Sequence, residues 1–259
     1  MVEFQEKCSV TSIEQLSFDV FRISLYAPTI AAAANPGQFV MVRVTDQLDP
    51  LLRRPFSLHA LSSDGVVSLL FKVVGKGTQI LSSLRKDDGV DLLGPLGKGY
   101  EIGCSGPVCM IGGGMGIAPL LFLAQRFAQK NRAAGSDYVL LGARNQEEIS
   151  PLFSDFSQLG YSVQGATDDG SFGHHGFVHA LLDEILPCVK QVYTCGPQPM
   201  MCVIAEKCKQ ANVGCQVSLE AHMACGLGAC LGCTVAGPEG SFIHVCKQGP
   251  VFDAREVAW

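Results

Sequence analysis

Three cysteines stand within nine residues of one another in the segment CGLGACLGC, and Cys246 follows further along the chain. The full spacing is C-x4-C-x2-C-x12-C, formed by Cys225, Cys230, Cys233 and Cys246. Three thiolates close in sequence and a fourth brought in from elsewhere is a spacing that holds 2Fe-2S clusters. The glycines between them allow positive φ angles and let backbone N–H groups approach the sulfurs. The spacing therefore predicts a 2Fe-2S cluster.

The segment TVAGPEGSFIHV, which separates Cys233 from Cys246, has the pattern of a β-hairpin. A two-residue turn at Glu239-Gly240 would pair Pro238 with Ser241 and so set Cys233 opposite Cys246. This pairing predicts that the fourth thiol lies beside the third. A structural zinc site is the alternative, but zinc usually takes two separated C-x2-C pairs and only one pair here has that spacing.

The composition describes a globular chain. It has 259 residues, of which 47% are hydrophobic and 17% charged, with a net charge of -5. These values predict a sizeable packed core and argue against a nucleic-acid partner, which needs a basic face. The N-terminal segment lacks the pattern of a secretory signal, and no apolar run is long enough to span a membrane.

The chain contains twelve cysteines. Without a secretory signal, they favour a reducing, cytoplasmic location in which thiols serve as ligands or core residues. The isolated cysteines are expected to be small buried hydrophobes: Cys8, Cys104, Cys109, Cys188, Cys202 and Cys208.

Three regions differ in their pattern. Residues 1–102 contain short strands at 21–27, 39–44, 66–74 and 89–95, which predict an antiparallel β-barrel. Residues 103–214 alternate strands with helices, which predicts an α/β domain with a parallel sheet. Residues 215–259 form the small cluster domain. The expected fold class is therefore multidomain, β plus α/β.

The barrel region contains the segment RRPFS, in which Arg54 and Ser57 carry a guanidinium and a hydroxyl. A guanidinium can bind pyrophosphate oxygens through two hydrogen bonds, and a hydroxyl can reach the N5 edge of a flavin. Downstream, Gly75, Gly77 and Thr78 stand where a helix is expected to start, and helix N-termini favour phosphate. Together the two segments predict an FAD site, although an exposed arginine in a plain turn and a capped helix would explain either one alone.

The segment CMIGGGMGIAP has the order strand, glycine loop, helix. Its glycines Gly112, Gly114 and Gly116 do not fit G-x-G-x-x-G, but Gly114-x-Gly116-x-x-Pro119 is compatible with pyrophosphate at a helix start. This loop predicts a nicotinamide dinucleotide site.

Two later strands end in residues that we expect at the same site, because ligands bind at the carboxyl ends of parallel strands. Cys195 and Gly196 are expected near the nicotinamide, and Thr167 and Asp168 near a ribose. An ordinary turn is the alternative at Asp168. Glu147 and Glu148 favour NAD over NADP.

The segments RPFS, GGGMGIAPL and CGPQPM, in this order, resemble the ferredoxin reductase superfamily. With ATDDGSFG and the C-terminal cysteine spacing, nearly the whole chain resembles the electron-transfer subunits of class 1B dihydroorotate dehydrogenases. The resemblance implies FAD between barrel and nucleotide domain, with contacts from Arg54, Pro55, Phe56, Ser57, Leu70, Phe71, Lys72, Gly77 and Thr78. It implies the four cysteines named above as cluster ligands.

The resemblance further implies a heterotetramer with an FMN-containing catalytic subunit that oxidises dihydroorotate, in pyrimidine biosynthesis. Electrons are then expected to pass through the 2Fe-2S cluster and FAD to NAD+, and no dihydroorotate-oxidising residues are expected in this chain. A subunit of an NADH-dependent ferredoxin-NADP transhydrogenase or a sulfhydrogenase is the first alternative. A zinc-bearing flavin-binding module without enzymatic activity is the second.

Overall fold

The computed structural model describes residues 3–130 and 135–259. Residues 1 and 2 of the predicted barrel region and residues 131–134 of the predicted α/β region lie outside the described part. Among the described residues, no helix is both long and apolar enough to cross a membrane.

The first region is a closed six-stranded antiparallel barrel with strand order β1-β2-β5-β4-β3-β6. Its elements are β1 (Phe4–Gln15), β2 (Val20–Tyr26), α1 (Pro28–Ala33), β3 (Phe39–Arg43), β4 (Arg54–Leu61), β5 (Val66–Lys72), α2 (Lys76–Ser82) and β6 (Gly89–Leu96). Inward-facing apolar side chains such as Ile23, Leu58 and Leu69 are fully buried and fill the interior. The predicted barrel is confirmed, with β1 and β4 added to the four predicted strands.

The region around Arg54 is the strand β4, so the alternative of a plain turn is wrong there. Pro55 pairs with Met41 of β3. Proline has no N–H to donate, so it is tolerated where a strand lacks a partner on one side.

The second region begins with β7 (Val108–Gly113), α3 (Ala118–Ala128), β8 (Tyr138–Ala143), α4 (Gln146–Gln158), β9 (Ser162–Thr167) and β10 (His174–His175). It continues with α5 (Leu182–Ile185), β11 (Gln191–Cys195), α6 (Gln198–Gln210) and β12 (Gly214–Ser218). The cysteine-rich region then forms β13 (Thr234–Ala236), β14 (Phe242–His244) and α7 (Val245–Gln248), and β15 (Val251–Asp253) follows.

Seven of these strands form one sheet, in the order β10-β9-β8-β7-β11-β12-β15. Neighbours from β10 to β12 are parallel, and β15 joins β12 in antiparallel orientation. The predicted parallel sheet is thus confirmed. Both β12 and β15 belong to this sheet, and residues 219–250 form an excursion that connects them. The domain boundary predicted at residue 215 therefore falls within β12.

Barrel and sheet are joined by polar contacts as well as by apolar packing. The Nδ1 atom of His59 in β4 lies 2.8 Å from the carbonyl oxygen of Ala118 at the start of α3. The Arg22 guanidinium of β2 forms an ion pair with Asp155 of α4. These contacts hold β4 and β2 of the barrel against α3 and α4 of the second region.

Candidate functional site

The two barrel strands that carry most of the predicted flavin contacts separate from each other. The β4–β5 ladder runs from Leu61–Val67 to Leu58–Leu69 and ends there. Beyond that point β4 continues with residues 54–57, paired to β3, and β5 continues with residues 70–72, paired to β2. The two predicted segments therefore line opposite sides of one gap in the barrel wall, where backbone groups can meet a ligand.

Arg54 and Gly77, predicted from separate segments, lie in contact. A methyl group on Gly77 would come within 3.2 Å of the Arg54 Nε atom. The Arg54 Nη1 group donates to the carbonyl oxygen of Leu52 at 2.6 Å. The guanidinium thus lies over the start of α2, where a phosphate group would meet both the positive charge and the free helix N–H groups.

The other predicted flavin residues differ in how far they can reach a ligand. Phe56 is half-buried and packs edge-on against Phe71 at 5.8 Å between ring centroids. Phe71 and Leu70 are buried in the cores on either side of the barrel wall, so their backbone rather than their side chains faces the gap. The Thr78 hydroxyl accepts from the Val74 N–H at 2.9 Å and so stabilises the loop before α2.

The two predicted nicotinamide loops touch. Gly116, in the short 3-10 turn that precedes α3, lies against the backbone of Cys195 and Gly196, so closely that a side chain at Gly116 would overlap the Cys195 carbonyl group. Gly112 is buried against Ile117 and serves close packing, whereas Gly114 has a φ of 54° and opens towards solvent. Burial raises the pKa of the Cys195 thiol, which keeps it neutral.

A cavity of about 720 Å³ lies at the carboxyl edge of the sheet. It is lined by the glycine loop, by residues at the ends of β8 and β9, and by two barrel residues, and among its lining residues are Gly114, Asp168, Lys72 and Val20. Thr167 is buried behind it, and its hydroxyl donates to the Phe172 carbonyl at 2.9 Å. Asp168 therefore reaches the cavity, while Thr167 holds the loop that follows β9.

Sequence reasoning missed two aromatic residues of this cavity. Phe177 and His179 stack at 5.6 Å between ring centroids, and both line the cavity. Phe177 is 67% exposed, which is unusual for an aromatic residue, and its ring can meet a ligand ring. The available sequence signal was an aromatic residue directly after the glycine-rich segment GSFGHHG.

A smaller cavity of about 400 Å³ adjoins the glycine loop on its other side. Its lining includes Gly116, Gly196, Glu220 and Val235, so it connects the nucleotide loops with the hairpin of the cysteine-rich region. The two cavities lie on either side of the contact between the glycine loops. A ligand that reached from one loop to the other would pass between sheet and hairpin.

The four predicted cluster cysteines are held by backbone N–H groups. The Leu227 N–H donates to the Cys225 sulfur at 3.3 Å, and the Gly228 N–H donates to the Cys246 sulfur at 3.2 Å. The Cys246 N–H donates to the Cys233 sulfur at 3.4 Å, which brings the third and fourth thiols together. N–H donors around sulfur stabilise thiolates, so the loop fits an iron-sulfur cluster held by cysteine.

The same donors affect the protonation of the loop. Burial tends to raise the pKa of Cys225, but the N–H groups of Leu227 and Cys230 outweigh it and lower the pKa to about 6. Burial and the neighbouring Cys233 raise the pKa of Cys246 to about 12. The Cys225 thiol therefore ionises readily, whereas the Cys246 thiol keeps its proton until metal binding displaces it. Within the described residues, no three Cys, His, Asp or Glu side chains are grouped as a single metal ion requires.

The hairpin that carries the fourth cysteine differs by one residue from the predicted pairing. Thr234 pairs with His244 and Ala236 with Phe242, so Cys233 lies opposite Val245. The predicted two-residue turn was wrong because the loop has three residues, Pro238–Gly240, with Glu239 and Gly240 at positive φ. Cys246 reaches Cys233 from the first turn of α7.

The isolated cysteines follow the expectation in part. Cys8, Cys109 and Cys208 are buried, and Cys104 and Cys202 are partly buried. Cys188 is exposed, so the expectation was wrong there, because the 3-10 turn Leu186–Cys188 ends at the surface.

Comparison with protein families matches three consecutive parts of the chain. Residues 7–100 match the oxidoreductase FAD-binding domain and residues 110–206 the oxidoreductase NAD-binding domain. Residues 220–258 match the iron-sulfur cluster binding domain of dihydroorotate dehydrogenase B. These matches agree with the gap in the barrel wall, the cavity at the sheet edge and the cysteine loop. The fold and these sites define an FAD- and NAD-binding oxidoreductase of the ferredoxin reductase type with an iron-sulfur domain.

Curated relatives narrow this class. The chain is 41% identical over 257 residues to the dihydroorotate dehydrogenase B (NAD(+)), electron transfer subunit, of Desulforamulus reducens, with 96% of this chain and 97% of the relative covered. It is 34% identical over 259 residues to the protein of the same name from Geobacillus thermodenitrificans, with 98% of each covered. The chain belongs to this family of electron transfer subunits.

A solved structure of an NADH-dependent reduced ferredoxin-NADP oxidoreductase superposes with a TM-score of 0.85 at 29% identity, covering 97% of this chain and 90% of that one. The ferredoxin reductase of carbazole 1,9a-dioxygenase superposes with a TM-score of 0.68 at 22% identity, covering 82% of this chain and 67% of that one, which shows the shared fold.

Proposed function

We propose that this chain relays electrons between a dihydroorotate-oxidising catalytic subunit and NAD+, in pyrimidine biosynthesis. The observation that carries the proposal is the contact of the cysteine loop with the barrel. Gly226 packs against Met41 and Leu96, and Met41 pairs in turn with Pro55 of the proposed flavin strand. The cysteine loop therefore adjoins the barrel, and the barrel residues Val20 and Lys72 also line the proposed dinucleotide cavity. Both outer sites thus border the barrel that carries the proposed flavin site, as a relay requires.

Each site has a distinct task for the residues of this chain. Arg54, together with the start of α2, holds a pyrophosphate, and the separated edges of β4 and β5 hold the flavin body. Gly114 and Gly116 let the backbone approach a dinucleotide. The nicotinamide end of that dinucleotide lies against the backbone where Gly116 contacts Cys195. FAD, when bound, exchanges one or two electrons and so connects hydride chemistry with one-electron chemistry.

The cluster ligands in this proposal are Cys225, Cys230, Cys233 and Cys246, and the cluster is of the 2Fe-2S type. The support is the spacing of the cysteines and the N–H groups directed at the sulfurs of Cys225, Cys230, Cys233 and Cys246. Cys230 is exposed, so this side of the loop is open to a second protein. The chain needs such a protein, because a one-electron carrier at a surface must receive its electron from outside.

We propose that the partner is an FMN-containing dihydroorotate dehydrogenase subunit, that two copies of each chain assemble, and that the complex is cytoplasmic. This chain then supplies no acid or base for dihydroorotate oxidation. The support is the name of the relatives, which are electron transfer subunits and so belong with a catalytic subunit. The twelve free cysteines are compatible with a reducing compartment.

A subunit of an NADH-dependent ferredoxin-NADP transhydrogenase is the second candidate, favoured by the superposition at a TM-score of 0.85 over 97% of the chain. The two candidates differ in the electron donor.

The test is reconstitution of the FAD- and iron-loaded chain with the FMN-containing dihydroorotate dehydrogenase subunit of the same organism. We expect dihydroorotate to reduce NAD+ only when both chains are present. Reduction of NAD+ by ferredoxin but not by dihydroorotate would assign the chain to the second candidate. A colourless protein with one zinc and no flavin reduction by NADH would contradict both.

A further inference from the structure

The end of the 720 Å³ cavity beside β8 holds a compact group of charges. Arg144 follows β8, Glu148 lies in the first turn of α4, and Lys72 ends β5. The Glu148 carboxylate accepts from Arg144 Nε at 3.0 Å and also from Arg144 Nη2, and its Oε1 atom lies 3.4 Å from Lys72 Nζ. One carboxylate thus engages both cations.

The position of this group in the cavity indicates which part of a dinucleotide meets it. The glycine loop follows β7, the central strand, and the proposed nicotinamide end lies at Cys195 and Gly196 after β11, on one side of β7. A dinucleotide whose pyrophosphate lies at the glycine loop must extend its adenosine half to the other side. That side is formed by β8 and β9, whose ends carry Arg144 and Asp168.

The two common nicotinamide dinucleotides differ by a phosphate on the adenosine ribose. A phosphate monoester has a charge near −2 and is bound best by a guanidinium that offers two parallel N–H groups. Arg144 places its guanidinium at this end of the cavity, and its Nε and Nη2 groups both already donate to one oxygen, Oε1, of Glu148. A phosphate that approached Arg144 would have to displace Glu148 or lie beside its charge.

The Glu148 carboxylate is well placed to resist displacement. Its side chain is only 17% exposed, and its second oxygen accepts from the Arg144 backbone N–H at 3.2 Å. The hydrogen bonds from Arg144, which outweigh the effect of burial, lower the pKa of Glu148, so the carboxylate stays charged at neutral pH.

We propose that Glu148 determines the dinucleotide specificity of the chain by occupying the Arg144 guanidinium that a 2′-phosphate would need. The site thus disfavours NADP through the negative charge of Glu148, and not through an additional contact to NAD. Lys72 has a second carboxylate, Asp19 at 3.1 Å, so the donor that Glu148 withholds is Arg144. This inference rests on the proposed function, since it assumes that the cavity binds the dinucleotide.

The test is Glu148→Gln in the FAD-loaded full-length chain, with flavin bleaching by NADH and by NADPH as the measurement. Gln keeps the shape of Glu but loses its charge, so Arg144 faces only a neutral acceptor that a phosphate group can displace. We expect the ratio of kcat/KM for NADPH to that for NADH to rise about tenfold or more. Asp168 leaves one carboxylate at this end of the cavity, so we expect a weakened preference rather than a complete reversal.

Two further variants identify the cause. The sequence pointed to Glu147 as well as Glu148, but among the described residues that line the cavity only Glu148 is found, and Glu147 is exposed outside it. Glu147→Gln should therefore leave the ratio unchanged. Arg144→Ala in the Glu148→Gln background should remove the gained NADPH activity.

The outcomes separate this inference from the proposed function. If the wild-type chain is reduced by NADH but the ratio stays the same in Glu148→Gln, the specificity role of Glu148 is wrong and the electron relay stands. An equal gain in the double variant would also overturn it, because the gain would not depend on Arg144. If neither nucleotide reduces the wild-type flavin, the proposed function itself fails.

Discussion

Gly226 of the cysteine loop lies so close to Met41 of the barrel that a methyl group on Gly226 would come within 2.6 Å of the Met41 Cγ atom. Leu96 of β6 closes the contact from the other side, at 3.2 Å from the same position. Because Met41 pairs with Pro55, the cysteine loop is one strand away from the proposed flavin strand. The absence of a side chain at Gly226 is what brings the loop this close.

Gly226→Ala should therefore disturb the cysteine loop more than an ordinary glycine substitution does. Gly226 has a φ of 72°, so alanine adds backbone strain of about 1–2 kcal/mol as well as the overlap with Met41. We expect reduced iron and acid-labile sulfide content per chain and a lower urea midpoint of unfolding. Gly240→Ala is the matched control, since Gly240 has a φ of 75° but open space around it. Equal losses in both variants would show that strain alone, and not the contact with Met41, matters.

Cys230→Ser should abolish the cluster while leaving reduction of the flavin by NADH largely intact. The cysteine loop and the nucleotide cavity are separate, and the removed sulfur is exposed. We expect loss of the visible absorption of the cluster and of NAD+ reduction by dihydroorotate in the reconstituted complex. Cys188→Ser, which changes another exposed thiol, should retain all of these properties. Loss of flavin reduction in a folded Cys230→Ser chain would mean that the proposed order of carriers is wrong.

Arg54→Ala should weaken FAD binding. The guanidinium lies over Gly77 at the start of α2, and a hydrogen bond to a charged group contributes about 1.5–3 kcal/mol. We expect the Kd for FAD, measured by quenching of flavin fluorescence, to rise about tenfold to a hundredfold. The exposed Arg85 of the same barrel provides the control, and Arg85→Ala should bind FAD as the wild type does. An unchanged Kd in Arg54→Ala would place the pyrophosphate elsewhere.

His59 should make the fold sensitive to acid. Burial lowers the pKa of His59 from 6.5 to about 4 in the folded chain, so the unfolded chain takes up its proton first as the pH falls. The contribution of His59 to stability is therefore constant above pH 6.5 and decreases from there towards pH 4, by up to about 1.4 kcal/mol per pH unit. Urea midpoints measured across this range should fall in the wild type.

His59→Gln should flatten that dependence, because glutamine has no proton to gain. His174→Gln, which replaces an exposed histidine, should keep the slope of the wild type. A wild-type slope that survives in His59→Gln would assign the acid sensitivity to other groups, such as the Arg22–Asp155 pair.

Much of the fold could be predicted because the pattern of apolar residues along the chain indicates which segments are buried. Segments such as FVMVRV and VCMIGG bury nearly every residue, and both are strands in the structure. Strand β1 was missed because only Cys8 and Val10 of its twelve residues are buried, so its pattern is mostly polar. Strand β4 was missed because proline is rare in strands, and the separation from β5 that tolerates it depends on the whole barrel.

Less of the candidate site could be predicted. Cysteine spacing and glycine loops are local features, so the sequence indicated them directly. The contact of Arg54 with Gly77 joins two segments that are distant in sequence, and so does the contact of Gly226 with Met41, and neither follows from a local pattern. The hairpin register failed by one residue because a three-residue loop with two residues at positive φ replaced the expected turn.

The excursion that carries the cysteines leaves the sheet from β12 and returns to it as β15, which pairs with β12 itself. A segment clamped at both ends to the same strand cannot swing on a hinge as a tethered domain does. We expect the separation between its thiols and the barrel to stay nearly constant during thermal motion. The rate of electron transfer within the subunit should then depend on a fixed distance and not on domain motion. Increased solvent viscosity should therefore leave this rate unchanged.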